Sequence, residues 1–174
     1  MLNAVNVTYN HISSYSFSEV PNWQLCSIVK KRSVGKNSQI SEIPMPREAP
    51  SVILGTMVDK DRKKWDSRYL KNLGSSDPSL ILQDYLGLAT CGNALDIACG
   101  NGRNSLFLVK KGFIVDAVDI STVATSHLAG SDPKINVICQ DIDDWTIPQN
   151  RYELIVNIRF LDRRLFPMII DGLR

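Results

Sequence analysis

The sequence is poor in the groups that build metal and disulfide frameworks. Its 174 residues include four cysteines and two histidines. The cysteines, Cys26, Cys91, Cys99 and Cys139, form no C-x-x-C pair, and only His11 and His127 could join them. A disulfide scaffold and a bound structural metal are both disfavoured, and reduced thiols in the cytoplasm are the expectation. No apolar run approaches the ~20 residues that a membrane-crossing helix needs. No apolar core of a secretory signal follows Met1. Charge of one sign is not in excess either. Lys and Arg number 20 against 18 Asp and Glu, too even a balance for nucleic acid or an anionic membrane to be the main partner. What remains is an ordinary globular composition, 44% hydrophobic and 22% charged, enough for one domain.

The small basic excess lies in the first third. Residues 1–56 carry Lys30, Lys31, Arg32, Lys36 and Arg47 against Glu19, Glu42 and Glu48; beyond them the two signs balance. This stretch is rich in Ser, Asn and Pro, with Pro44, Pro46 and Pro50 near its end. It reads as a flexible or poorly structured extension. Isolated apolar residues at Trp23, Leu25, Ile28 and Val29 allow one short strand or turn. The well-patterned domain is expected over 57–174, with Met57 as its natural start.

From Met57 on, periodicity governs. Asp59 or Asp61 caps a helix through Trp65, Tyr69 and Leu70 to about Leu73, stopped by Gly74. Asp77-Pro78 opens a second helix that ends at Gly87. Short apolar runs then alternate with helical stretches. Strands are predicted over 94–97, 113–118, 136–139 and 154–158, and helices over 102–111, 121–128 and 161–173. That alternation predicts an α/β fold with a doubly wound parallel sheet and right-handed crossovers.

The sharpest local feature is the run from Leu95 to Asn104, in which an apolar strand ends in Asp96 and a loop with Gly100 and Gly102 leads into a helix. Glycine is needed where the backbone takes positive φ or a ligand lies against it. Such a loop sits where open α/β sheets bind ligands. Gly100 and Gly102 half-match a dinucleotide fingerprint, with Ser105 in its third position. Asp96 argues against a pyrophosphate, which it would repel, and suits a positively charged ligand. The second strand ends in Asp119, which could accept both hydroxyls of a ribose in either kind of cofactor. The third ends at Cys139, followed by Asp141 and Ile142. Asp141 is open to two readings, an adenine contact or a solvated acidic turn.

Asp96-Ile-Ala-Cys-Gly-Asn-Gly-Arg-Asn, Val-Asp-Ala-Val-Asp119-Ile-Ser and Gln-Asp141-Ile together resemble the class I S-adenosylmethionine-dependent methyltransferases. The nearest subgroup is the small tellurite-resistance-type enzymes, which the segments around Trp65-Asp-Ser-Arg68-Tyr69 and Leu154-Ile-Val-Asn157 also resemble. The resemblance implies a Rossmann-like methyltransferase fold and S-adenosyl-L-methionine as cofactor. It implies that Ala98, Gly100 and Gly102 let the backbone approach the methionine part, and that Asp96 helps hold the amino group. Asp119, with Ile120, would take the ribose; Asp141 and Ile142 would hold adenine. Arg68, with Trp65 and Tyr69 beside it, would close over the methionine carboxylate, and Asn157 would line the methyl site. No catalytic residue and no metal are implied. Plainer readings stand beside these: Trp65 and Tyr69 as helix core, Arg68 as a solvated charge, Cys99 as packing.

That fold commonly has seven strands, and the sequence reaches Arg174 where a turn into the fifth is expected. Only the first four strands are predicted. The fourth, almost continuously apolar, is then expected to be an exposed edge through which copies of the chain could associate. The expected activity is methyl transfer to a small-molecule acceptor. The alternative is a truncated, non-catalytic cofactor-binding or interaction protein. An NAD-dependent dehydrogenase is a third reading, disfavoured by Asp96.

Overall fold

The computed structural model describes residues 26–29 and 51–174; expectations for the rest of the first fifty residues, Trp23 and Leu25 included, lie outside the described residues. In chain order the elements are β1 (Cys26–Val29), α1 (Ser51–Lys71), α2 (Leu80–Tyr85), β2 (Asn93–Ile97), α3 (Arg103–Lys110), β3 (Ile114–Asp119), α4 (Thr122–Leu128), β4 (Ile135–Cys139), β5 (Leu154–Ile158) and α5 (Leu165–Gly172).

One sheet runs in the order β1-β5-β2-β3-β4. The last four strands are parallel, as the alternating pattern requires. Alternate side chains feed two cores. Ala94, Val115, Ala117, Leu154 and Val156 pack with Leu82, Leu86, Leu108 and Leu128 from α2, the turn after it, α3 and α4. Leu95, Ile97, Val118 and Ile155 pack with Leu165 and Ile169 from α5. The sheet is thus covered on both faces, which is why β5 could be so uniformly apolar. Leu154, Ile155 and Val156 are fully buried, each contributing about 1.5–3 kcal/mol by that burial.

Three details differ from expectation. The four parallel strands expected are present, and among the described residues a fifth strand joins them. β1 pairs antiparallel with β5, Cys26 opposite Ile158 and Val29 opposite Ile155. The edge expected to stand open for another copy is therefore occupied by the same chain. A buried apolar strand cannot leave a row of amides and carbonyls unpaired without cost, and four residues of the N-terminal stretch meet that need. Second, α1 begins at Ser51 and runs through the expected boundary at 56/57. Third, α2 begins at Leu80, not at Asp77, because the Ser79 amide donates to Asn104 Oδ1 and fixes the approach of the chain.

The middle of β3 carries a buried polar cluster. Asp116 accepts from the Tyr152 hydroxyl at 2.7 Å, from Asn136 Nδ2 at 2.9 Å, and pairs with Arg151 at 3.0 Å. It ties the loop before β5 to the sheet.

Candidate functional site

The parallel strands β5, β2, β3 and β4 direct their carboxyl ends to one edge, where Asn157, the 98–102 loop, Asp119 and Asp141 gather. The loop after β2 is left-handed at three positions: Ala98 at φ 54°, Gly100 at φ 57° and Gly102 at φ 78°. Alanine there costs roughly 1 kcal/mol or more, a strain typical of binding loops. The two glycines answer different needs. A Cβ on Gly100 would collide with the Tyr69 hydroxyl; one on Gly102 would collide with Leu128 of α4. Gly102 thus serves helix packing, while Gly100 leaves room where α1 crosses the loop.

Asp119 holds the loop together. Its Oδ2 accepts the Gly100 amide at 2.8 Å, and its Oδ1 accepts the Ser121 amide at 2.8 Å. Burial pushes its carboxyl above the usual carboxylate range, and those two amides pull against the rise. Asp96 is 1% exposed and accepts from Ser105 Oγ at 2.6 Å. Burial pushes its carboxyl up to about 7, opposed by the Ser105 bond and helped by the charge on Asp119. Among the described residues neither carboxylate forms an ion pair. Two buried acids at adjacent strand tips without a paired cation make a site that favours positive charge.

The remaining expected residues fall around this pair. Asn157 pairs in register with Ile97 at the end of β2. It is 2% exposed, and among the described residues its Oδ1 accepts no hydrogen bond. An unsatisfied buried acceptor costs about 1–3 kcal/mol and marks a place where a donor fits. Asp141 uses Oδ1 in its own turn, accepting the Asp143 amide at 2.9 Å, so the acidic-turn reading describes part of its role. Ile142 is buried against the α5-side core, and Ile120 is half-buried with its carbonyl facing the Cys139 thiol. Burial, with Asp96 and Asp119 beside it, pushes the Cys99 thiol up, so thiolate is scarce and the packing reading fits it.

On α1 the structure separates the expected neighbours. Arg68 lies over the Trp65 ring at 5.1 Å, and Trp65 stacks with Tyr69 at 6.1 Å between ring centres. It is Tyr69 that reaches Gly100. Burial pushes its phenol up to about 12, with the charges on Asp119 and Cys99 adding and Arg68 and Arg103 opposing. Three residues of the site have no role assigned from the sequence. Ser105 bonds Asp96. Ser121 caps α4, accepting from the Ala124 amide at 3.2 Å. Asp66 bonds the start of α4 from 55 positions away. A serine before a helix is a usable signal for Ser121; the other two carry none, because only the fold brings their partners near.

Similarity to known proteins gives the family and the fold. The family model described as Tellurite resistance protein TehB matches residues 80–174. A ubiquinone biosynthesis O-methyltransferase of Coxiella burnetii is 36% identical over 74 residues, covering 40% of this chain and 32% of its own. The chain thus spans about a third of the length of the curated relatives it matches. Among solved structures, a Methanococcus maripaludis protein assigned as an S-adenosyl-L-methionine-dependent methyltransferase superposes with a TM-score of 0.50 at 21% identity, over 75% of this chain and 64% of that one. That likeness is one of fold.

Proposed function

The chain belongs to the tellurite resistance protein TehB family, and from that premise we propose that it binds S-adenosyl-L-methionine at the carboxyl edge of its sheet and transfers the methyl group to a small-molecule acceptor. The observation that carries the reading is the pair of buried acids, Asp96 and Asp119, left without a paired cation. When bound, the cofactor supplies an activated methyl group on a positively charged sulfur. The residues present fit such a group. Among the described residues Asp119 is held by backbone amides and by no side-chain donor, so its oxygens keep acceptor capacity for ribose hydroxyls. Asp96, ionised, answers an ammonium group. Asn157 Oδ1 offers the acceptor that nothing else satisfies. Asp141 and Ile142, just past the end of β4, are the residues assigned to the adenine base.

No side chain of the site is assigned as a general acid or base. Attack on an activated methyl needs in-line alignment and exclusion of water more than proton transfer. Among the described residues no helix is long and apolar enough to cross a membrane. Cys91, Cys99 and Cys139 are unpaired, which supports the cytoplasm as the place of action.

Calorimetric titration of the full chain with S-adenosylhomocysteine, beside NADH, tests the reading. Heat with the first alone is the expected result. A folded chain that ignores S-adenosylhomocysteine overturns it. Methyl transfer is then read with the labelled cofactor across thiols, phenols, amines and oxyanions.

A further inference from the structure

Helix α1 is fastened to the strand tips by a carboxylate that the reading above leaves unused. Asp66 Oδ1 accepts Ser121 Oγ at 2.6 Å and the Val123 amide at 3.1 Å, and Oδ2 accepts Thr122 Oγ1 at 2.9 Å. α4 already has its own cap in Ser121, so Asp66 is a second cap brought from another helix. Ser121 in turn donates its amide to Asp119, and Asp119 accepts the Gly100 amide. A continuous run of hydrogen bonds therefore leads from α1 through Ser121 and Asp119 to the glycine loop. One turn further along α1, on the same face as Asp66, the Tyr69 hydroxyl lies against Gly100. The helix grips the site twice, once through Asp66 and once through Tyr69. Beside Tyr69, a groove of about 720 Å³ lined by Leu70, Leu73, Val123 and His127 gives the phenol ring space to turn into.

We propose that Asp66 is the positioning residue of this site. It latches α1 to the strand tips so that Tyr69 covers Gly100, and a ligand reaches the loop by displacing the Tyr69 ring into the groove while the latch stays closed. The nature of the ligand rests on the cofactor reading; the latch does not.

Hydrogen exchange of the full chain, with and without S-adenosylhomocysteine, separates the two. Asp66→Ala is expected to speed exchange about tenfold both in α1 and at the 98–102 loop, the scale of a lost cap. It is also expected to weaken S-adenosylhomocysteine about tenfold. Asp66→Asn keeps an acceptor oxygen and should retain most of both. If Asp66→Ala does not fold, Thr122→Val, which removes one bond to Oδ2, should give the same pattern at about threefold. Tyr69→Ala should quicken ligand association, and in that background Asp66→Ala should still weaken S-adenosylhomocysteine, because its hold on the loop runs through Ser121 and Asp119. Faster exchange confined to α1, with loop and affinity unmoved, overturns the proposal, as does a Tyr69→Ala chain whose ligand association is unchanged. A wild-type chain whose loop exchange follows Asp66 but which ignores S-adenosylhomocysteine keeps the latch and removes the cofactor reading.

Discussion

Asp116 and Asp119 stand three residues apart in β3, and both are buried, at 6% and 7% exposure. Their surroundings differ in kind. Asp116, in mid-strand, is met by three side chains, one of them the cation of Arg151. Asp119, at the tip, is met by two backbone amides. Amides orient a carboxylate and leave its charge and half its lone pairs unspent; a guanidinium, a phenol and a carboxamide consume them. Burial of an acid is therefore not a mark of function. The mark is burial with the partners withheld, and here it falls on Asp119 and Asp96 alike.

The largest expected effect tests the structural half of that contrast. Asp116→Ala leaves the Tyr152 hydroxyl and the Asn136 amide without their acceptor inside the fold, at a cost of about 3 kcal/mol. Denaturant unfolding should show that loss, while the fraction still folded binds S-adenosylhomocysteine as the wild type does. The functional half is tested by Asp119→Ala. Losing two hydrogen bonds from a charged acceptor should weaken S-adenosylhomocysteine about a hundredfold, with a smaller loss of stability than at Asp116. If Asp119→Ala unfolds the chain and spares affinity, the two acids are alike and the contrast fails.

Much of this was legible in the sequence, for reasons that also mark its limit. β5 could be placed to the residue because a strand buried on both faces is apolar throughout. The glycine loop and the acids at successive strand ends were legible because their chemistry is local. β1 was legible only as one short strand or turn around Ile28 and Val29; its place beside β5 was not, because Cys26–Val29 joins the sheet by a pairing distant in the chain. Asp116 read as one more residue of a strand, since Arg151, Tyr152 and Asn136 are distant in the chain. Asp66 lay within the noticed segment between Trp65 and Arg68, yet its partners begin at Ser121. Arg68 was favoured over Tyr69 for its charge, whereas the geometry turns on which side chain faces Gly100. Residues that act through the fold are silent until the fold is known.

A third test uses pH. Burial raises the Asp96 carboxyl from 3.8 to about 7. Between those values the folded chain binds more protons than the unfolded one, so stability falls as pH rises through that window, by at most about 1.4 kcal/mol per pH unit for one group. Asp96→Asn should flatten that slope in unfolding curves taken from pH 4 to 8. Affinity should run the other way. An ammonium-bearing ligand favours the ionised acid, so S-adenosylhomocysteine should bind more tightly at pH 8 than at pH 6, and Asp96→Asn should remove the difference. A slope unchanged by the substitution would assign the titration to another group.

The smallest expected effect is the most discriminating about Asp96 itself. Ser105 is fully buried, and its hydroxyl is the side-chain donor that reaches this acid, at 2.6 Å. Ser105→Ala removes a bond whose strength depends on the charge of its acceptor. Above the midpoint the acceptor is ionised and the loss should be about 2 kcal/mol; well below it the bond is between neutral groups and the loss should be about 1 kcal/mol. Unfolding of Ser105→Ala in urea at pH 8 and at pH 5 reads the two values. A larger penalty at the higher pH means that Asp96 is charged there and held by Ser105 without a paired cation, which leaves it open to a cationic ligand as Asp116 is not. Equal penalties mean that Asp96 does not change charge in this range, and the contrast between strand middle and strand tip would then rest on Asp119 alone.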